Sequence, residues 1–438
     1  MPPRALPTQS QAPTPPPFPL LAAYFSLLGV SVLAGSGALV NVAPALARGD
    51  FLAPHVLAAV HLFTLGVLTT AIFGVLHQFY PMALGAAARS VRVAVAGFAL
   101  HATGVLAVVC GFWFWHPALL ATGWVLIFGA VAAIAWNLLP GRRRLPPARP
   151  IGAFVSAGHA AFGFAMLLAA TRIGEFLGWW TFDRLGTIAA HYHLAALGFG
   201  TLTIIGVGSR MVPMFLVSHG PPAPPSRPVG LLLLAGLALF MVGEPLRVVI
   251  VSWTGASFMF AGVLGYLAIA HGYFRRRLRR RLDPGLRFVR VAHCNLGLAA
   301  LAGVALLLWP GFQPRLWVAY GALGILGWLV MLILGMLQKL MPHLAGLRLF
   351  GRHPGGRPIP DLNQLINRTS SLIALTAAEA GLLLFATGVA AGKSVVAQVA
   401  SWLWLAGVVL TVAQFVRIPL MARGWWPLPK SPTMELPA

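Results

Sequence analysis

The sequence predicts an all-α polytopic membrane protein of about twelve transmembrane helices, built as three four-helix pseudo-repeats. Three observations carry this. Of 438 residues, 58% are hydrophobic and only 9% charged, whereas a soluble protein carries about 25% charged residues. The apolar residues fall in long continuous runs, and a bilayer span needs about 20 residues. A backbone in hydrocarbon must pair its own polar groups, so such runs are helices; their lack of alternation excludes a barrel. The third observation is a repeat. His61, Gly66, Gly74 and Pro81 are matched in spacing by His193, Gly198, Gly206 and Pro213. A third copy has Gly327, Gly335 and Pro342, with Ala322 at the histidine position. The copies lie 132 and then 129 positions apart, about a third of the chain.

Apolar runs bounded by Pro, Gly and Arg predict helices over 19–46, 55–85, 91–115, 118–139, 151–171, 187–217, 229–251, 255–274, 288–309, 316–345, 370–391 and 395–421. The segment before residue 19 is rich in Pro, Thr and Gln and reads as a disordered tail (1–18). The repeat then divides the rest into four-helix units 19–140, 151–274 and 288–421, followed by a C-terminal tail, 422–438. Its copies fall on the second, sixth and tenth helices. The fifth and ninth also correspond: AGHAAFG, with His159 and Gly163, matches AHCNLGL, with His293 and Gly297. Units with an even number of spans share one orientation and so are parallel repeats. The repeated glycines predict close helix approach. Pro81, Pro213 and Pro342 predict the end, or a kink, of each repeat helix.

The net charge of +23 does not read as nucleic-acid binding, because the basic residues sit in short loops beside apolar spans. Arg89 and Arg92, then Arg142, Arg143, Arg144 and Arg149, then Arg275 to Arg281, then Arg348, Arg352, Arg357 and Arg368 all follow even-numbered helices. Excess Lys and Arg mark the cytoplasmic side. Both termini are therefore expected in the cytoplasm, and the chain in a bacterial inner membrane. Cys110 and Cys294 lie inside apolar runs, which excludes a disulfide framework and a cysteine zinc site.

Histidine inside a span is costly and marks a candidate site. His61, His193 and His191 are expected in the outer half. His101, His159 and His293 are expected near the midplane, and His55, His77, His271 and His343 nearer the interfaces. Neutral imidazole ligates transition metals and haem iron. The matched set His61, His193, His159 and His293 points to a haem, b-type, with copper at His191, His193 or His101 as a further option. The structural alternative is that each imidazole only bonds a neighbouring helix. Glu379 and Glu244 are candidate proton relays; for Glu244 an ion pair with Arg247, three positions on, competes.

Twelve helices with histidines on the second and sixth resemble subunit I of the haem–copper oxidase superfamily. HLFTLGVLTTAIFGVLHQFYPMAL and HYHLAALGFGTLTIIGVGSRMVPMF look like divergent relatives of the cbb3-type subunit and of the haem- and copper-containing membrane proteins of nitric-oxide response. The resemblance implies that His61 is the low-spin haem ligand and that His193, or His191, is the first copper ligand. It further implies electron transport, a cytochrome or respiratory-complex partner, and a diatomic gas as ligand. The chain departs from that pattern. Its seventh helix has no histidine, and the tenth has only His343 at its end. A complete oxygen-reducing centre is thus not expected, and oxidase-like catalysis stays open. The alternative is a proton-coupled secondary transporter using embedded His and Glu.

Overall fold

The computed structural model describes residues 17–84, 88–138, 149–181, 183–218, 225–278, 281–309, 311, 313–350 and 362–423. Most of each tail, and Arg142, Arg143, Arg144, Arg279, Arg280, Arg352 and Arg357 of the predicted basic loops, lie outside these residues. Twelve helical rods follow one another, with no strand among the described residues. They are α1 (Phe18–Arg48), α2 (Pro54–His61, Leu62–Thr69 and Thr70–Leu84), α3 (Val91–Trp113), α4 (Pro117–Leu138), α5 (Arg149–Phe176) and α6 (Arg184–His193, Leu194–Thr201 and Leu202–Leu216). Then come α7 (Arg227–Gly243), α8 (Val249–Arg275), α9 (Pro284–Leu308), α10 (Pro314–Ala322, Leu323–Val330 and Met331–Phe350), α11 (Arg368–Ala390) and α12 (Ser394–Ala422). Eleven of them are long and apolar enough to cross a bilayer; α7, at 17 residues, is the short one. The chain is an all-α, multi-pass membrane protein.

Local chemistry sets the helix starts. Ser90, Asp183, Asp283 and Asn367 cap α3, α6, α9 and α11 by accepting from Val93, Gly186, Leu286 and Ser370 backbone N–H groups. These bonds satisfy donors that a helix start leaves open. Proline stands in the first turn of α2, α7, α9 and α10, where a missing N–H costs nothing. Two predicted boundaries move by more than five residues. The helix predicted over 229–251 ends at Gly243, because the turn that follows carries Arg247 at φ +57. The next helix therefore begins earlier, at Val249. The repeat helices run on past Pro81 to Leu84, past Pro213 to Leu216 and past Pro342 to Phe350.

The repeat is visible in the backbone. Each repeat helix changes from α to π winding for eight residues, Leu62–Thr69, Leu194–Thr201 and Leu323–Val330, at matched positions. A π stretch inside an α-helix often accompanies a functional site. These helices also have the most buried spans. The most apolar windows of α2, α6 and α10 are 72%, 67% and 83% buried, against 28% for α9.

The chain packs as two compact units. The first comprises the described residues up to Leu28, with Leu65–Arg210 and Ala223–Met259; the second comprises Gly29–Thr64, Met211–Pro222 and the described residues from Phe260 onward. Within the first, a Cβ on Gly74 would lie 3.1 Å from Tyr24 Cβ, and one on Gly206 would lie 2.9 Å from Phe154 Cβ. Within the second, a Cβ on Gly335 would lie 2.6 Å from Phe288 Cβ. An aromatic from the helix preceding each repeat helix thus seats on its repeated glycine. The next glycine up repeats this: Gly198 faces Ala161 and Gly327 faces Asn295. Close approach is therefore what these glycines supply.

Candidate functional site

The first unit encloses a cluster of imidazoles centred on Phe73 of α2. Phe73 is fully buried. Its carbonyl accepts from His77 Nδ1 at 2.8 Å. Its ring meets the His101 ring edge-on at 5.1 Å and the His159 ring face-to-face at 6.3 Å. Tyr24 of α1 stacks on His77 at 5.6 Å, and Phe199 of α6 meets His159 at 5.7 Å. All three histidines are buried.

Their hydrogen bonds fix which nitrogen is available. A carbonyl only accepts, so a nitrogen facing one carries the proton and the other presents a lone pair. His159 Nδ1 donates to Val155 O at 2.9 Å, and His77 does the same to Phe73 O. In both rings Nε2 is buried and has no partner among the described residues. His101 Nε2 lies 2.8 Å from Thr70 Oγ1, leaving its buried Nδ1 without one. The hydroxyls of Tyr24 and Thr203 are also buried and unpartnered. A metal-ligating histidine usually has this form, with the second N–H held by a carbonyl.

His193 and His191 also belong to this unit. His193 is buried, donates to Ala189 O at 2.7 Å and packs its ring 4.6 Å from Phe240. His191 turns to another helix and donates to Ala165 O at 2.8 Å. Among the described residues, no three His, Cys, Asp or Glu side chains come together as a metal site.

Glu244 forms the end of α7, and the expected pair with Arg247 is not made. The Arg247 guanidinium donates instead to Asp183 at 2.6 Å, because the left-handed turn carries it toward the start of α6. Glu175 pairs with Arg172 and Arg184 nearby.

In the second unit, His61 donates to Leu57 O at 2.7 Å. His293 is buried, donates to Val289 O at 2.6 Å, and receives the Tyr266 hydroxyl on Nε2 at 3.0 Å. Trp328, from the π stretch of α10, packs edge-on to His293 at 5.1 Å. Glu379 of α11 accepts from Asn295 Nδ2 at 2.9 Å; the same amide reaches Gly327 O at 3.3 Å. Lys339 is buried and pairs with Asp283 at 2.8 Å.

The sequence reading placed His77 among the interfacial histidines. It is 1% exposed, covered by Tyr24 of α1. His55, His271 and His343 are exposed. Tyr24, Thr70, Tyr266 and Asn295 were missed, since hydroxyls and amides in apolar helices carry no spacing signal of their own. No protein family matches the chain, and no curated protein matches it.

Proposed function

We propose that this is a haem-binding integral membrane protein on a haem–copper oxidase subunit I-like scaffold. It works in electron transfer or in binding a diatomic gas, without a complete oxygen-reducing centre. The observation that supports it is the pair of buried, unpartnered Nε2 atoms on His77 and His159, each set by a carbonyl on its own helix. His159 and His77 would hold the iron of a b-type haem, and Tyr24, Phe73 and Phe199 are the aromatic rings beside these two histidines. His61, His193 and His293 are the further axial candidates, and His293 would first release Tyr266. A bound haem supplies reversible one-electron chemistry, and an open axial position supplies a gas site. Copper at His101, His191 or His193 would need donors beyond any three-residue group among the described residues. The basic loops support a bacterial inner membrane as its setting, with both termini cytoplasmic. A cytochrome or another respiratory subunit is then the electron partner.

The test is a reduced-minus-oxidised spectrum of protein purified after expression with ample haem. A Soret band is expected, weakened by His159→Ala and His77→Ala and unchanged by His271→Ala on the exposed surface. Pigment-free, metal-free protein ends the proposal. A second reading, a proton-coupled transporter, draws on the Glu379–Asn295 bond. A carboxylate inside a span that faces a neutral amide is able to take up and release a proton. That reading predicts colourless protein and proton-coupled uptake lost in Glu379→Gln.

A further inference from the structure

At one end of the second unit, α8 and α9 border a cavity of about 300 Å³. Its wall has two chemical halves. Leu267, Ala270 and Phe274 form an apolar strip on α8. His271, Arg275, Arg277 and Arg290 add cationic and imidazole groups, His293 and Cys294 complete the wall, and no acid lines the cavity among the described residues. Asp283, near the start of α9, is already paired with Lys339.

One of the arginines, Arg277, is held in place by local bonds. Arg277 Nη1 donates to Phe274 O at 2.6 Å, while its Nε is buried with no partner among the described residues. Its backbone is fixed by the bridge to Ser218 and by the bond from Leu278 N to Val217 O at 3.1 Å. Ser218 Oγ donates in turn to Tyr273 O at 3.0 Å. A guanidinium held this way is pre-organised for an anion, which lowers the cost of binding one. The apolar strip continues outward through exposed Leu264 on α8 and exposed Leu298 and Leu301 on α9. An anionic head with a hydrocarbon tail matches both halves.

We propose that this cavity is a binding site for the phosphate head group of an anionic phospholipid, whose acyl chain lies along Leu264 and Leu267. Basic pockets between transmembrane helices recognise such head groups. A free phosphate would use the arginines but not the strip. The test is native mass spectrometry of the full chain in detergent, titrated with phosphatidylglycerol, phosphatidylcholine or inorganic phosphate. Phosphatidylglycerol is expected to bind about tenfold or more tightly than phosphatidylcholine, given two or more arginines at the head group. Arg275→Gln with Arg290→Gln changes exposed side chains only, and is expected to abolish that preference while leaving the elution volume on size exclusion unchanged. Arg92→Gln, at the start of α3, is expected to keep it. Equal binding of the two lipids overturns the proposal, as does a preference that survives the double substitution. Displacement of the lipid by inorganic phosphate at equal concentration also overturns it and assigns the site to a soluble anion.

Discussion

An imidazole in an apolar helix has two nitrogens to satisfy. His61, His77, His159, His193, His293 and His343 satisfy the first the same way, by donating Nδ1–H to the carbonyl four residues back. What distinguishes them is the second nitrogen. His293 Nε2 has the Tyr266 hydroxyl, and His77 and His159 have nothing. Tyr266→Phe should therefore destabilise the protein by about 1–3 kcal/mol, the cost of stranding a buried acceptor. Chemical unfolding in detergent measures this. Adding His293→Phe to Tyr266→Phe should recover part of the loss, because neither polar partner then remains. No loss in the single variant would mean that the hydroxyl does not serve Nε2. The histidines themselves were legible in the sequence, because an apolar run makes each one conspicuous. Their partners were not, since Tyr266 lies 27 positions from His293 and on another helix.

At the scale of helices, the repeated glycines are ranked by how closely an aromatic approaches them. A Cβ would meet Phe288 Cβ at 2.6 Å from Gly335, Phe154 Cβ at 2.9 Å from Gly206, and Tyr24 Cβ at 3.1 Å from Gly74. Gly335 also faces the Gly285 carbonyl at 2.7 Å, a backbone atom that cannot turn aside. Gly335→Ala is thus expected to cost the most, within the roughly 1–3 kcal/mol of overpacking, followed by Gly206→Ala and then Gly74→Ala. Gly163→Ala, with open space around it, should be neutral or slightly stabilising. Thermal unfolding of the four purified variants tests the order. A second element-level prediction concerns Asp283, which caps α9 and pairs with buried Lys339 of α10. Asp283→Asn keeps the cap but strands the ammonium, and should cost about 3–5 kcal/mol. Lys339→Met should cost less, because Asp283 keeps its backbone donor and is the more exposed partner. The glycine and proline spacing was readable because it recurs. The π stretches were not: LFTLGVLT, LAALGFGT and LGILGWLV contain no residue that favours π over α winding, and only the packed backbone shows them.

For the whole molecule, sidedness turns on α7. At 17 residues it is about 25 Å long, at the lower limit for a span. If it crosses, there are twelve spans, and the arginines after α2, α4, α8 and α10 all face one side. If it does not, the loop after α8 moves to the opposite side from the loops after α2 and α4. The charge bias would then contradict itself, since excess Lys and Arg gather on the cytoplasmic face. The turn after α7 supports a crossing: Arg247 and Asp183 form an exposed ion pair beside Glu244 and the start of α6, as a membrane surface allows and its interior does not. Single cysteines in a Cys110→Ser, Cys294→Ser background read this out with a membrane-impermeant thiol reagent on intact cells. Substitutions at His116, Trp179 and Arg247 are expected to label. Those at Ser90, Ser226 and Arg276 are expected to label only after the membrane is opened. Labelling of Arg276→Cys on intact cells, with Ser90→Cys protected, would remove α7 from the spans and place the arginines after α8 outside the cell.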